Sequence, residues 1–311
     1  MQCKQFNGTA LLAEATIFLT MLCSAGALRA ATGTLPPPTT THYHFITVDP
    51  PGGQLGSLNI NNRGVATSAF ADAANAIHGF VWQDGAGMVI DEPGMVNTAL
   101  NGLNDAGKVV GWDDLGPIIY DLQHRTWEHL PSKPELPNSF GGAINNRGII
   151  LGGAWTDTGS IGWIWDGNSY SLFRVPEASQ MPGLATLPQD INDHNQVVGT
   201  YWDAQGVSHG FVKSSSGIVT FDVPGADGTA GIGINNRGEI TGFYYNLLPD
   251  SYTANGYILR NGRFVTVNIL GSTICGMTRI NDHGELSGIY VDTLGNSHGF
   301  VGIPEGGSNA D

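Results

Sequence analysis

The sequence predicts an all-β fold, a six-bladed β-propeller of four-stranded blades that is closed by an N-terminal strand pairing with the last blade. Three observations predict it: a five-residue phrase recurs six times, 41 to 47 residues separate successive copies, and a lone strand precedes the first copy. Each interval has room for four strands, and four strands in roughly 40 to 50 residues are typical of a propeller blade.

The repeated phrase consists of an apolar residue, Asn, two variable residues and, in five copies, Gly. Asn is favoured at the first position of a type I turn and Gly at the fourth, where φ is often positive. The fourth copy has Asn195 in place of Gly, and Asn is the non-glycine residue that best tolerates a left-handed conformation. Each phrase is therefore predicted to be a hairpin tip after the first strand of a blade. The copies begin at Ile60, Leu103, Ile144, Ile191, Ile234 and Ile280.

The residues after each phrase predict the remaining strands of the blade. Eight places after the phrase begins, five copies have Gly and the first has Ser68, which indicates that another backbone approaches closely there. The third strand carries Gly followed by an aromatic residue in five repeats, whereas the second repeat has Gly116-Pro117-Ile118. A fourth strand ends near Pro or Gly. Neighbouring blades must stack, because a lone four-stranded sheet leaves both faces uncovered.

The two ends of the repeat region predict a closed ring. The sixth repeat stops after its third strand, near Val301, and residues 45–52 resemble a fourth strand. An N-terminal strand would complete the last blade, which removes two exposed sheet edges. We assign the propeller to residues 43–303 and a disordered tail to residues 304–311.

The N-terminal residues predict export. Lys4 precedes a mostly apolar stretch, and Ala25-Gly26-Ala27 fits the small-residue pattern of a signal-peptide cleavage site. We assign residues 1–27 to a signal peptide and the Pro/Thr-rich residues 28–42 to a linker. The mature protein is then expected to be secreted, in the periplasm or outside the cell. An uncleaved N-terminal anchor is the alternative.

Charge and cysteine content restrict the partners and cross-links. The formal net charge of −14 disfavours nucleic acid and anionic membranes, because phosphate groups are bound by clustered Lys and Arg. Signal cleavage would remove Cys3 and Cys23 and leave Cys275 alone, so neither an intrachain disulfide nor a cysteine zinc site is expected. Cys275 is predicted to be a small buried residue.

These phrases resemble the HAF-repeat family of bacterial extracellular repeat proteins. The resemblance covers residues 60 to 301 and rests on the Ile-Asn-Asn/Asp-x-Gly turn, the following Val-Val-Gly and a later His-Gly-Phe. The family is named for His-Ala-Phe, whereas this chain has His-Gly-Phe at 78–80, 209–211 and 298–300. The resemblance implies an extracellular location and a repeat fold, and it implies no particular chemistry.

Three repeats share a stricter phrase, in which Asp and then Gly or Asn three places later precede His-Gly-Phe. The spacing again indicates a type I turn, with the His bonded inside its own blade. The alternative is a metal site, for which one Asp and one His supply too few ligands. The phrase predicts a polar site in each of these repeats, at Asp72 and His78, Asp203 and His209, and Asp292 and His298.

The third residue of each turn, counted from the first Asn, alternates around the predicted ring. Repeats one, three and five carry Arg63, Arg147 and Arg237, whereas the other three repeats carry Ala or His. A closed ring would place all six tips on one face, where three converging guanidinium groups could hold a carboxylate or a sulfated glycan. Separate solvated arginines are the alternative.

No catalytic or cofactor-binding motif stands out in the sequence. We therefore predict no catalytic, cofactor-binding or metal-ligating residue and no cofactor. The favoured function is that of a non-catalytic exported repeat protein that binds a protein or a polysaccharide. The alternatives are an extracellular glycan hydrolase or lyase with its site in the central channel, and a structural protein of the envelope or matrix.

Overall fold

The computed structural model describes residues 43–180, 185–249 and 251–305, and none of these residues lies in a helix. The described part of the chain therefore has no helix long and apolar enough to cross a membrane. The predicted signal peptide, residues 1–27, and the predicted linker, residues 28–42, lie outside the described residues, as do residues 306–311 of the predicted tail.

The strands form six antiparallel groups of hydrogen-bonded neighbours, each of which we call a blade. Blade 1 contains β2 (Gln54–Leu55), β3 (Asn59–Ile60), β4 (Ala66–Ala71), β5 (Ile77–Gln83) and β6 (Ala86–Ile90). Blade 2 contains β7 (Thr98–Leu103), β8 (Lys108–Asp113), β9 (Gly116–Asp121) and β10 (Thr126–His129). Blade 3 contains β11 (Ser139–Ile144), β12 (Ile150–Thr156), β13 (Gly159–Trp165) and β14 (Tyr170–Phe173).

The second half of the chain repeats the same order of strands. Blade 4 contains β15 (Thr186–Ile191), β16 (Val197–Trp202), β17 (Ser208–Ser214) and β18 (Gly217–Phe221). Blade 5 contains β19 (Gly228–Ile234), β20 (Ile240–Leu248), β21 (Ser251–Arg260) and β22 (Arg263–Val267). Blade 6 contains β23 (Ile274–Ile280), β24 (Leu286–Val291), β25 (Ser297–Pro304) and, from the N-terminal end, β1 (Tyr43–Val48).

The blades are not six separate four-stranded sheets. Hydrogen bonding gives five sheets: three of four strands, one of five strands and one of eight strands. The eight-stranded sheet joins blades 5 and 6 through one parallel pair, Ala254 with Ile274, because the β20–β21 hairpin is long enough to reach the start of β23. The predicted all-β propeller is confirmed. The predicted separation into six independent four-stranded sheets is wrong.

The ring is closed by the strand that was expected to close it. β1 pairs antiparallel with β25 in continuous register, from Tyr43 opposite Pro304 to Val48 opposite Gly299. The last strand therefore extends one residue beyond the predicted propeller boundary at 303. Next to the axis, the hydroxyl groups of Thr278 and Ser287 in blade 6 donate to the carbonyl of Leu58 in blade 1. The first and last blades are thus linked at both the outer and the inner strands.

The repeated phrases form the predicted turns in all six blades. In each turn the fourth residue donates its N–H to the carbonyl of the first Asn, over 3.0–3.3 Å. The fourth residue has positive φ in every copy, from 58° at Asn195 to 79° at Gly107, Gly148 and Gly284. Asn195 therefore adopts the same backbone conformation as the five glycines.

A β-branched side chain at Gly238 should destabilise the protein by more than about 1 kcal/mol. The cost comes from the backbone alone, because φ is 75° and a Cβ at Gly238 would meet nothing within 4 Å. The free energies of unfolding of Gly238→Val and Gly238→Asn, compared by urea denaturation, test this. Asn should be tolerated, since Asn195 occupies the equivalent position, and equal stability of the two variants would contradict the turn geometry.

The glycines of the second strands are required by close contacts, as the sequence predicts. A Cβ at Gly199 would lie 2.4 Å from the carbonyl oxygen of Leu187 and 2.6 Å from the ring of Phe211. Phe211 is fully buried, as are the residues at the same place in the other blades. The inner strand therefore approaches from one side and the large side chain of the third strand covers the other. These buried residues are Phe80, Ile118, Trp163, Phe211, Tyr257 and Phe300.

The apolar core lies between the blades. One cluster joins Ala143 and Leu151 of blade 3 to Val197 and Phe211 of blade 4. Cys275 belongs to such a cluster, is 1% exposed, and burial raises the pKa of its thiol to about 12. The prediction that it is a small buried residue is therefore confirmed. A thiol held protonated in this way is a poor nucleophile.

Candidate functional site

Six asparagines, the first residue of each turn, form a closed ring of hydrogen bonds near the axis. Each side-chain Oδ1 accepts the N–H groups two and four residues further on, which holds its own turn. Each Nδ2 donates to the backbone carbonyl of the equivalent Asn in the next blade, over 3.0–3.2 Å. The ring therefore fixes the spacing of all six blades. Its members are Asn61, Asn104, Asn145, Asn192, Asn235 and Asn281.

The next residue of each turn forms a second ring, which we call the axial ring. Asn and Asp alternate in it, and each backbone N–H donates to the Oδ1 of the next member over 2.7–2.9 Å. Each Asn also donates from Nδ2 to the Oδ2 atoms of both flanking Asp residues over 2.8–3.2 Å. The members are Asn62, Asp105, Asn146, Asp193, Asn236 and Asp282.

The alternation follows from the hydrogen-bonding capacity of the two side chains. A carboxylate only accepts hydrogen bonds, whereas an amide has two N–H donors. Six amides would place donors against donors, and six carboxylates would place negative charges side by side. The alternating ring uses both amide hydrogens of each Asn and leaves one lone pair on every Oδ1. The axial ring is therefore a rim of hydrogen-bond acceptors carrying three negative charges.

The three predicted arginines lie on the same face as the axial ring. Arg147 donates to the carbonyl of Asp193, and Arg237 donates to the carbonyl of Asp282 and to the carboxylate of Glu239. The guanidinium groups of Arg147 and Arg237 thus reach forward to the next turn, which carries an Asp. Anion binding by Arg63, Arg147 and Arg237 stays a prediction.

A small cavity of about 80 Å³ lies on the axis behind this rim. Four consecutive residues of five blades line it: the member of the axial ring, the ring-forming Asn, the apolar residue before it and the residue before that. Blade 5 contributes only the first three of these positions. The deepest position departs from the repeat, since the sequence has Gly or Ala there in three blades and Asn59, Asp190 and Arg279 in the other three.

Asp190 and Arg279 form a buried ion pair in the cavity floor. The Nε atom of Arg279 lies 3.4 Å from Oδ2 of Asp190, with side-chain exposures of 7% and 13%. Arg279 also donates to the carbonyls of Gln189 and Ile232, and Oδ2 of Asp190 accepts the N–H of Ile234. Burial raises the pKa of Asp190, although the charge of Arg279 acts in the opposite direction. The pair blocks the axis and ties three blades together.

Asn59 adds an unused acceptor to the floor. Its Nδ2 donates to the carbonyl of Ser57 over 3.3 Å, whereas its Oδ1 is buried and has no hydrogen-bond partner. The whole residue is 2% exposed. Most buried polar atoms in proteins are paired, so an unpaired one in a cavity indicates a place for a donor.

The three predicted Asp and His sites form as pairs, and each gains a second carboxylate that the sequence analysis missed. In blade 4, His209 places Nδ1 2.8 Å from Asp222 and Nε2 3.4 Å from Asp203. The ring of His209 stacks on Tyr201. Each His is thus bonded within its own blade, as predicted. The other sites are His78 between Asp72 and Asp91, and His298 between Asp292 and Asp49 of the N-terminal segment.

The carboxylates outweigh burial in setting the charge state of these histidines. Burial opposes the charged form of His78 and His209, but their paired carboxylates raise the pKa of both. For His298 the hydrogen bond to Asp49 is the largest cause of the raised pKa. In each pair the two ring nitrogens point to different carboxylates, which is the arrangement of a structural clamp between strands.

The thermal midpoint of the protein should therefore fall as the pH rises from 6 to 8. A His whose folded-state pKa is raised stabilises the fold fully below its unfolded-state pKa of about 6.5, and this stabilisation is lost as pH rises through the folded-state pKa. Because the three pairs are partly exposed, we expect a change of about 2–4 °C. The triple variant of His78, His209 and His298 to Gln should lose this change, and an unaltered pH dependence would contradict the assignment.

A further cluster lies on the opposite face, between blades 1 and 2. Nε2 of His129 is 2.8 Å from Oδ2 of Asp113 and 3.8 Å from Oε2 of Glu92. The side chains of Asp113, Glu92 and His129 are 0%, 12% and 36% exposed. Burial, followed by the adjacent Asp113 carboxyl group, raises the pKa of Glu92. The sequence analysis missed this cluster because its members belong to three different repeat positions.

No protein-family model matches the chain, and no curated protein sequence matches it. Solved structures do. A gluconolactonase from Xanthomonas campestris has a TM-score of 0.53 and 11% identity over 90% of this chain and 99% of its own. A mutant of AofleA from Arthrobotrys oligospora has a TM-score of 0.51 and 12% identity over 87% of this chain and 91% of its own. These likenesses show the fold alone.

A third structure is that of a fungal lectin from Aleuria aurantia, which has a six-bladed β-propeller fold. It has a TM-score of 0.48 and 10% identity over 85% of this chain and 99% of its own. That score is too low to support an argument about this protein. The function must therefore be inferred from the side chains of the chain itself.

Proposed function

We propose that the protein is an exported, non-catalytic binding propeller, and that its axial face binds a neutral, hydroxyl-rich polysaccharide. The observation that carries the proposal is the axial ring. Its N–H donors are used within the ring, and the groups left over are acceptors around the mouth of a small cavity of about 80 Å³. Such a rim selects ligands that donate hydrogen bonds, as sugar hydroxyl groups do.

The charge of the protein supports a neutral ligand. The rim carries the carboxylates Asp105, Asp193 and Asp282, and the chain has a formal net charge of −14. Both would repel sulfated or uronic-acid polysaccharides, because like charges brought together in a binding site cost free energy. Two of the three turn-tip arginines, Arg147 and Arg237, are directed toward neighbouring turns. A neutral glycan therefore fits this face better than an acidic one.

Binding is also better supported than hydrolysis. A glycosidase places two carboxyl groups about 5–10 Å apart on either side of the scissile bond, and one of them donates a proton. In the axial cavity Asp190 is paired with Arg279, and the axial aspartates accept hydrogen bonds from two amides each. These contacts hold the carboxyl groups in place, which suits recognition.

A glycan array followed by calorimetric titration of the best neutral ligand tests the proposal. Asn59→Leu removes the unpaired Oδ1 from the cavity floor, and we expect it to weaken binding at least about fivefold, because one lost hydrogen bond is worth about 1 kcal/mol. The fold should tolerate the change, since that oxygen has no protein partner.

Asn246→Leu is the matched control. Asn246 also has a buried Oδ1 without a partner and an Nδ2 that donates to a carbonyl, that of Gly225, but it does not line the cavity. Its variant should bind the glycan as the original protein does. Binding of acidic glycans only, or equal affinities of the Asn59 and Asn246 variants, would count against the axial site.

A further inference from the structure

We infer that Glu92, Asp113 and His129 form a binding site for one divalent transition-metal ion, for which Zn²⁺ is the probe. The site is separate from the axial cavity and does not depend on the proposed function. Each of the three side chains offers one ligand atom, and these atoms lie within 4.8 Å of one another. In the described ranges 43–180, 185–249 and 251–305 no other group of three such residues meets this distance.

A buried oxygen without a donor points to a missing ligand. Oε2 of Glu92 is buried, has no hydrogen-bond partner and faces Nε2 of His129 at 3.8 Å. The neighbouring Asp113 carboxyl group is fully buried and contributes a second negative charge. Two carboxylates in such a place repel unless a positive charge lies between them. A metal ion bound between the two carboxylates would supply that charge.

The carboxyl group of Asp113 and the backbone of Glu92 are held in place before any ion arrives. Oδ1 of Asp113 accepts the N–H groups of Leu115 and Gly116 over 2.8 and 3.1 Å, which leaves Oδ2 directed at the site. The backbone N–H of Glu92 donates to Oγ1 of Thr98, and its carbonyl accepts the N–H of Met95. Second contacts that orient the ligands in this way are usual around metal ions in proteins.

The spacing suits tetrahedral coordination. Two ligand atoms bound to Zn²⁺ at about 2.0–2.1 Å in tetrahedral geometry are about 3.3 Å apart. The distances from Nε2 of His129 to the two carboxylates, 2.8 and 3.8 Å, lie on either side of this value. Small rotations of the side chains therefore suffice. His129 is 36% exposed, which leaves the fourth position open to water.

The ligand set selects the kind of ion. Ca²⁺ takes six to eight oxygen ligands and Mg²⁺ keeps several waters around one or two carboxylates, whereas an imidazole suits Zn²⁺ and its first-row neighbours. One imidazole nitrogen and two carboxylate oxygens are within the range of three-ligand zinc sites. We therefore expect Zn²⁺ to bind and Ca²⁺ or Mg²⁺ to compete poorly.

The test is calorimetric titration of Zn²⁺ into the full chain, with the bound metal counted by elemental analysis after dialysis. We expect one ion per chain. Glu92→Gln and His129→Gln should each weaken Zn²⁺ binding at least about tenfold. Loss of a residue that only supports a metal ligand already lowers metal affinity by about 10–100-fold, and loss of a ligand should cost no less. Glu92→Gln keeps the shape of the side chain, and His129→Gln replaces the imidazole with a neutral polar side chain of similar length. Bound Zn²⁺ should also raise the thermal midpoint of the original protein and not that of the variants.

His209→Gln is the matched control, because His209 also lies between two carboxylates, yet its two nitrogens face them separately. It should bind Zn²⁺ within about twofold of the original protein. The inference fails if no ion binds, since the three residues then form only a hydrogen-bonded cluster. It fails equally if His129→Gln leaves the affinity unchanged, or if His209→Gln reduces it as much as His129→Gln does.

Discussion

Arg279→Met is expected to lower the free energy of unfolding by about 3–5 kcal/mol at pH 7, the range measured when one partner of a buried ion pair is removed. The substitution keeps the length of the side chain but removes its charge. Asp190 is then left in the cavity floor with a carboxylate that only the N–H groups of Ile191 and Ile234 accompany. The three carbonyls that Arg279 contacts also lose their donor.

The size of this loss should depend on pH and on Asp190. Burial raises the folded-state pKa of Asp190, so its neutral form favours the fold below the unfolded-state pKa and this advantage is lost as pH rises through the folded value. Urea denaturation should therefore show a smaller loss at pH 5 than at pH 7. Arg279→Met combined with Asp190→Asn should recover at least half of the stability. A loss that is the same at both pH values and in both variants would show that the charge of Asp190 is not its cause.

The sequence was sufficient for the parts of the fold that depend on local chemistry. The turn at Asn192–Asn195 forms because Asn accepts the two backbone N–H groups that follow it and tolerates a positive φ. These requirements are contained in four residues. The closing strand was also predictable, because the last repeat has three strands and a lone strand precedes the first repeat.

The axial ring was visible in the sequence only in part. The alternation of Arg at the third turn position belongs to the sequence prediction, whereas that of Asn and Asp at the second does not. It is visible when Asn62 is compared with Asp105 and Asn146 across copies. The same comparison, made for the residue before each apolar one, separates Asn59, Asp190 and Arg279 from the Gly or Ala of the other three copies.

The cluster of Glu92, Asp113 and His129 could not be found in this way. Glu92 follows the fourth strand of one blade, while Asp113 and His129 end the second and fourth strands of the next. Their contact depends on how far two loops extend at the junction between the blades, and no repeat position relates them. The joining of blades 5 and 6 into one sheet escaped prediction for a similar reason, since it follows from the length of the β20–β21 hairpin.

Gly111→Ala is the other substitution with a large expected effect, a loss of about 2–3 kcal/mol of unfolding free energy, at the upper end of the usual cost of overpacking. A Cβ at Gly111 would lie 1.8 Å from the carbonyl oxygen of Ala99 and 2.8 Å from its carbonyl carbon. Both atoms belong to the backbone of the neighbouring strand, so no side-chain rotation can relieve the contact. The strands β7 and β8 would have to separate, which would weaken the hydrogen bonds between them.

Gly142→Ala provides the comparison, because Gly142 is also buried in an inner strand but its Cβ would meet nothing closer than the carbonyl oxygen of Leu151 at 3.8 Å. We expect this variant to change the unfolding free energy by less than about 1 kcal/mol. The change should be stabilising, because replacing Gly with Ala reduces the conformational entropy of the unfolded chain. Urea denaturation of both variants measures the difference. If Gly111→Ala were as stable as Gly142→Ala, the inner strand would not lie close enough to the second strand to exclude a Cβ. The repeated Gly of five blades would then have no physical explanation.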